Sequence, residues 1–346
     1  MNDRFLRACR REPVDATPVW FMRQAGRYMA EYRALRQRYS LLEICAVPEL
    51  AAAVTLQPVT AIDVDAAILF SDLLLPFTPM GLDFDFVKGE GPSIDHPVRH
   101  ASDVDRVRVF EPRESLAHVL ATIRLLRQEL AGTVPLIGFG GAPFTMAAYA
   151  IEGGPSTTYA TTKAFMYAQP AAWHTLCGRF ATIMADYLRA QIEAGVQAVQ
   201  VFDSWAGQLS RADYREFALP HTKTIFDALA GTNVPTLHFG VGTAALLGDM
   251  RDAGGDVIGV DWRLPLDEAW TTIGHDRGIQ GNLDPTLLLG PADRMMASAD
   301  EVLRRAAGRA GHVFNLGHGI LPPTNLEHVQ ALARHVHAFR LPAPTL

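Results

Sequence analysis

Cysteine is scarce: Cys9, Cys45 and Cys177 are far apart and odd in number. That excludes a disulfide framework and fits a reducing compartment. Lysine occurs only at Lys88, Lys163 and Lys223, so nearly all of the 31 basic residues are arginine. We read this as a bias of the whole chain and give it no functional weight. No apolar run approaches the length that spans a bilayer, and residues 1–7 carry no apolar signal segment. There is no basic run and no interleaved aromatic stripe, and the net charge is -6. These absences argue against general nucleic-acid binding. His-Glu-x-x-His and Cys-x-x-Cys are also missing, so no metal site has a recognisable spacing. The expectation is a soluble, cytoplasmic protein that holds no metal.

What is present suits a large core: 346 residues, 49% hydrophobic and 20% charged. The length allows two average domains or one large α/β barrel. Short apolar runs at 19–21, 66–70, 135–139, 198–202, 234–238, 257–261, 278–281 and 312–315 read as strands buried on both faces. Between them lie helical patterns, as at 115–130, 171–194, 213–230 and 292–307. Strand and helix in alternation mean βαβ units. Eight of them over this length predict a single (β/α)8 TIM barrel, residues 1–346, α/β in class. Segment 82–110 breaks the alternation and reads as a small β-hairpin insertion after the second strand. Residues 340–346 read as a terminal extension.

The densest signal is Trp20-Phe21-Met22-Arg23-Gln24-Ala25-Gly26-Arg27-Tyr28. It sets two guanidiniums four residues apart after an apolar run, with Arg36 further on. Two readings fit: a site for a ligand with several carboxylates or phosphates, or a solvated turn whose arginines pair with surface acids. In a barrel, residues that follow the strands face one pocket. The others in that position are Ser71 and Asp72, Gly140-Gly141-Ala142-Pro143 followed by Tyr149, Asp203 and Ser204, His238, Asp261, Asn282, and Asn315-Leu316-Gly317-His318-Gly319. Each has a plain structural role open to it: Asp72 as a helix cap, His318 as a turn residue, Tyr149 as core. Their convergence favours a site.

These blocks, with Phe202 inside Val201-Phe202-Asp203-Ser204-Trp205-Ala206-Gly207 and the run Gln280-Gly281-Asn282-Leu283-Asp284-Pro285, resemble the uroporphyrinogen decarboxylase family over nearly the whole chain. The resemblance implies a single-domain, homodimeric barrel that works without metal or prosthetic group in the tetrapyrrole pathway. Its substrate would be uroporphyrinogen III, whose four acetates are decarboxylated. It implies Asp72, Arg23 and Arg27 as catalytic, and Arg23, Gln24, Arg27, Arg36, Asp72, Tyr149, Phe202, Ser204 and His318 as substrate-binding. For the proton donor, Arg23 competes with a water or a substrate carboxyl that it holds, because guanidinium is a poor acid near neutrality. The chain departs from the pattern at Trp205, where some relatives carry histidine, and at His238-Phe239-Gly240. Methyltransferase relatives that act with a corrinoid hold zinc through histidine and cysteines; here no cysteine follows Cys177. A non-catalytic tetrapyrrole carrier would need the arginines but not Asp72.

Overall fold

The computed structural model describes residues 2–87 and 91–341. The apolar runs form most of its strands, which in chain order are β1 (Ala67–Ile68), β2 (Phe84–Val87), β3 (Gly91–Ile94), β4 (Leu136–Gly141), β5 (Ala198–Asp203), β6 (Thr236–Gly240), β7 (Val257–Gly259), β8 (Gly278–Gln280) and β9 (His312–Val313). Seven make one curled sheet in the order β1-β4-β5-β6-β7-β8-β9, parallel throughout. Ala198, Val199 and Val201 of β5 are wholly buried, as strands covered on both faces must be. Segment 19–21, expected as a strand, makes a single bridge, Val19 to Phe314. Phe314 N–H donates to the Pro18 carbonyl at 2.8 Å, and Asp65 N–H donates to the Val19 carbonyl at 2.8 Å. β2 and β3 pair antiparallel with each other, apart from the main sheet. Residues 88–90 between them, and residues 342–346 of the expected extension, lie outside the described residues.

A second apolar cluster, including Phe5, Leu6, Trp20, Met22, Ile137, Leu237, Phe239 and Val313, packs apart from the main core. Among these strands the polar groups bond one another. Trp20 Nε1 donates to Gln280 Oε1 at 2.9 Å, and Gln280 Nε2 donates to Gln200 Oε1 at 2.9 Å. Most of these buried polar atoms find partners, though Gln200 Nε2 at the end of this series of bonds has none among the described residues. Pattern 213–230 is helical almost throughout, but a π turn interrupts its regular α-helical geometry. It runs as Arg211–Asp213, a π turn Tyr214–Ala218, and Leu219–Leu229. Pro220 has no N–H to donate to the preceding turn, which accounts for a break that side-chain periodicity does not register.

Near the start of the first sheet strand, Asp65 clasps both ends of the described chain. It is wholly buried and accepts from Asn2 Nδ2 at 2.7 Å, Arg4 Nη1 at 2.6 Å, Val19 N–H at 2.7 Å and His337 Nε2 at 2.7 Å. Burial raises the Asp65 pKa, but these hydrogen bonds outweigh it and hold the group below the ordinary carboxylate range. Burial likewise opposes charge on His337, but Asp65 and then Asp63 outweigh it and hold the imidazole pKa above its usual value. The signs follow from linkage. Asp65 stabilises above about pH 3.9, its unfolded value, and loses this as pH falls through its lowered folded value. His337 stabilises fully below about pH 6.5 and loses this as pH rises through its raised folded value. We therefore expect the Tm gap between wild type and His337→Gln to be widest near pH 6 and to narrow by pH 8.5. A gap that is constant in calorimetry across that range would refute the clasp's charge.

Candidate active site

The segment that carries Arg23 is a turn held from inside. Gln24 N–H donates to the Phe21 carbonyl at 2.9 Å. The Gln24 side chain closes the turn by accepting from Phe21 N–H at 3.1 Å and donating to the Ala66 carbonyl at 3.1 Å. Tyr28 Oη donates to the Gln24 carbonyl at 2.5 Å. Met22 N–H reaches Asn315 Oδ1 at 3.2 Å. At Gly26 a Cβ would stand 3.0 Å from the Arg23 carbonyl oxygen, tighter than ordinary contact, so a larger residue would press on the turn. The motif is thus a frame that fixes Arg23 in a left-handed backbone, φ 60°, a conformation that costs a non-glycine residue about 1–3 kcal/mol.

Beyond the C-terminal ends of the strands, Arg23, Tyr149, Ser204, Trp205, Arg263 and His318 line a cleft of about 340 Å³. A wider depression of about 670 Å³ opens at the opposite end of the sheet. Several of its charges are already paired, as in Arg251 with Asp276 at 2.8 Å and Lys223 with Asp227 at 2.7 Å.

Arg23 is the common electrostatic neighbour in the cleft. Asp72, partly buried after β1, accepts from Leu74 N–H at 2.9 Å through Oδ1; Oδ2 has no partner among the described residues. Burial raises its pKa to about 6, against the Leu74 N–H and the charge of Arg23. Burial, then the nearby Asp72 carboxylate, lifts the Tyr149 hydroxyl to about 12, with Arg23 opposing. Tyr149 therefore stays a neutral donor, and its ring lies against Trp205 with centroids 3.9 Å apart. Burial, then Arg23 and Arg263, lowers His318 to about 4. Its Nδ1 accepts from Gly319 N–H at 2.7 Å, so the single ring proton sits on Nε2. Phe202 meets Phe139 and Phe239 nearly edge-on, at 5.6 and 5.9 Å between centroids.

Of the nine expected site residues, Arg23, Tyr149, Ser204 and His318 line the cleft itself. Asp72 joins them through its field at Arg23 and Tyr149. Arg27 and Arg36 are exposed outside that lining. Among the described residues Arg23, Arg27 and Arg36 meet no carboxylate, whereas Arg4, Arg113, Arg211, Arg215 and Arg305 do. The surface-acid pairing that the alternative reading expected is therefore not seen at these three, a lack they share with other arginines such as Arg124 and Arg294. Gln24 is buried with its amide committed to the backbone, so it acts as a brace.

Three strand-end residues read as pocket-facing do not line the cleft. His238 Nδ1 lies 3.2 Å from the Met250 carbonyl, and its ring packs on Phe226. Asn282 Nδ2 donates to the Asp261 and Leu264 carbonyls at 2.8 and 2.7 Å. Asp203 is wholly buried beside Thr145. Sequence reasoning missed Trp205 and Arg263 as lining residues. The available signal for Arg263 was its position two residues after the strand-end Asp261. No group of three or more His, Cys, Asp or Glu among the described residues is placed to hold a metal ion.

A family model described as uroporphyrinogen decarboxylase (URO-D) matches residues 1–339. A uroporphyrinogen decarboxylase of Sorangium cellulosum is 59% identical over 339 residues, covering 98% of this chain and 97% of that protein. One of Chloroflexus aggregans is 54% identical over 349 residues, covering 100% and 98%. Among solved structures, a methyltransferase from Methanosarcina mazei superposes with a TM-score of 0.79 at 23% identity, covering 97% of each chain. At that identity the likeness speaks for the fold.

Proposed function

Because this chain belongs to the uroporphyrinogen decarboxylase family, we propose that it removes CO2 from the four acetate side chains of uroporphyrinogen III, giving coproporphyrinogen III. The observation that carries the reading is the set of arginines without acidic partners beside a raised-pKa carboxyl, Asp72. A substrate with eight carboxylates supplies what those guanidiniums lack, and arginine's fork fits a carboxylate bidentately.

The chemistry assigns roles. A pyrrole ring that accepts a proton becomes an electron sink. The bond from the acetate methylene to its carboxylate then breaks, CO2 leaves, and the electron pair returns to the ring system. A second proton converts the methylene to methyl, and the ring carbon gives back the first proton to restore the pyrrole, so each CO2 lost consumes one proton net. Positive charge develops near the ring nitrogens, and the Asp72 carboxylate stabilises it and accepts the N–H bonds. Arg23 and Arg27 bind the reacting side chain, and Arg36 binds a further carboxylate. Tyr149, Ser204 and the Nε2–H of neutral His318 donate to substrate carboxylates, and Phe202 offers an apolar surface to the ring.

We also read segment 18–21 as the closing strand of a (β/α)8 barrel, given its bonds to Phe314 and Asp65, with β2 and β3 as an insertion. A cytoplasmic location agrees with the absence, among the described residues, of a helix long and apolar enough to cross a membrane. The family pattern favours a homodimer, which a monomeric mass in light scattering would exclude. The test of function is anaerobic incubation of chelator-treated protein with uroporphyrinogen III. Seven-, six-, five- and four-carboxylate products should appear in turn; folded protein that yields none would refute the reading.

A further inference from the structure

We propose that Arg263 is a further carboxylate-binding residue of this cleft, gripping a side chain of the tetrapyrrole other than the acetate being lost. The inference rests on the decarboxylase reading and names a residue which that reading does not use. Arg263 lines the same cleft as Arg23, Tyr149, Ser204 and His318, and its charge is felt at His318. It approaches from the loop after β7, whereas Arg23 comes from the segment beside β9.

Arg263 is held in position before any ligand arrives. Asp261 is 4% exposed. Its Oδ2 accepts from Arg263 Nη1 at 2.5 Å and from Gly242 N–H at 2.5 Å, and its Oδ1 accepts from Arg263 N–H at 3.0 Å. Arg263 Cζ sits 4.2 Å from the centroid of the Trp262 ring. Asn282 ties down the loop carbonyls on either side. The guanidinium side chain is nevertheless 51% exposed, and among the described residues Nε and Nη2 have no acceptor. Pairing with the buried Asp261 carboxylate accounts for Nη1 alone and leaves the solvent-facing edge of the guanidinium unused. A preset cation with two free donors lowers the ordering cost of capturing a carboxylate. Asp261 is the positioning residue, and a substrate side chain would supply the missing acceptor.

The test compares wild type with Arg263→Gln, which keeps a donor for Asp261, and with Arg263→Ala; folding is followed by circular dichroism. Anaerobic kinetics with uroporphyrinogen III should give Arg263→Gln a KM raised about tenfold and a much smaller fall in kcat, the mark of binding lost equally from ground and transition states. Quenching of tryptophan fluorescence by coproporphyrinogen III, which needs no turnover, should show a matching rise in Kd. Unchanged KM and Kd in folded Arg263→Gln would overturn the proposal. Wild type that binds but yields no product would instead sink the decarboxylase reading, and the Kd comparison would still decide Arg263. Arg263→Ala should show at least the same rise; if it fails to fold, Asp261 needs its partner and the glutamine variant decides.

Discussion

Asp72→Asn should lower turnover by about 10²–10³-fold, by analogy with the loss of one preorganised oxyanion-hole donor, and leave the fold intact. Asparagine keeps the shape and, through Oδ1, the bond from Leu74 N–H. It loses only the charge that faces the ring nitrogens. Substrate affinity should change little, because the arginines that bind carboxylates remain. The pH profile adds a second signature. Burial lifts the Asp72 pKa to about 6, so in wild type kcat/KM should fall as pH drops through that value and the carboxylate is neutralised. Substrate carboxyls titrate lower, near the ordinary carboxylate range. In Asp72→Asn the acid limb near pH 6 should vanish along with most of the rate. Quantifying porphyrin products after anaerobic incubation checks both; wild-type rates in the variant would remove Asp72 from the chemistry.

Gly319→Ala should cost about 10²-fold in kcat, the scale of a misplacement near 1 Å, with Tm close to wild type. A Cβ at position 319 would stand 2.7 Å from Arg23 Cγ and nearer still to Cδ, inside van der Waals contact. The neighbour is a flexible side chain, so the fold survives while the guanidinium moves. The two sites should then be non-additive. Once Gly319→Ala is present, adding Arg23→Ala should cost little more. Full activity in Gly319→Ala, or a double variant that multiplies the single losses, would disprove that Gly319 acts through Arg23.

The glycine after His318 was legible in the sequence as part of a block, but its purpose was not. Patterns record which residues are apolar and how far apart they lie, and that was enough for the long elements. Run 198–202 became Ala198–Asp203, and pattern 171–194 became Pro170–Ala194. Short pairings were overstated: 66–70 shrank to Ala67–Ile68, because an apolar run does not reveal where a neighbouring backbone stops. In the site, the strand-end rule brought out Arg23, Tyr149, Ser204 and His318, but it cannot tell which way a side chain turns. His238 faces the helix layer, and Gln24 spends its amide on the backbone. Arg263 belongs to no repeated spacing, and only the placement of Asp261 and Trp262 around it makes it visible.

The left-handed backbone at Arg23 carries a consequence for how this position evolves. Glycine would adopt φ 60° freely, and asparagine with little penalty. Arginine stands there against the local conformational preference. Heat tolerance and catalysis therefore pull residue 23 in opposite directions: a library sorted on thermal survival alone would drift toward glycine there, and the survivors would be sturdier proteins that no longer turn over substrate.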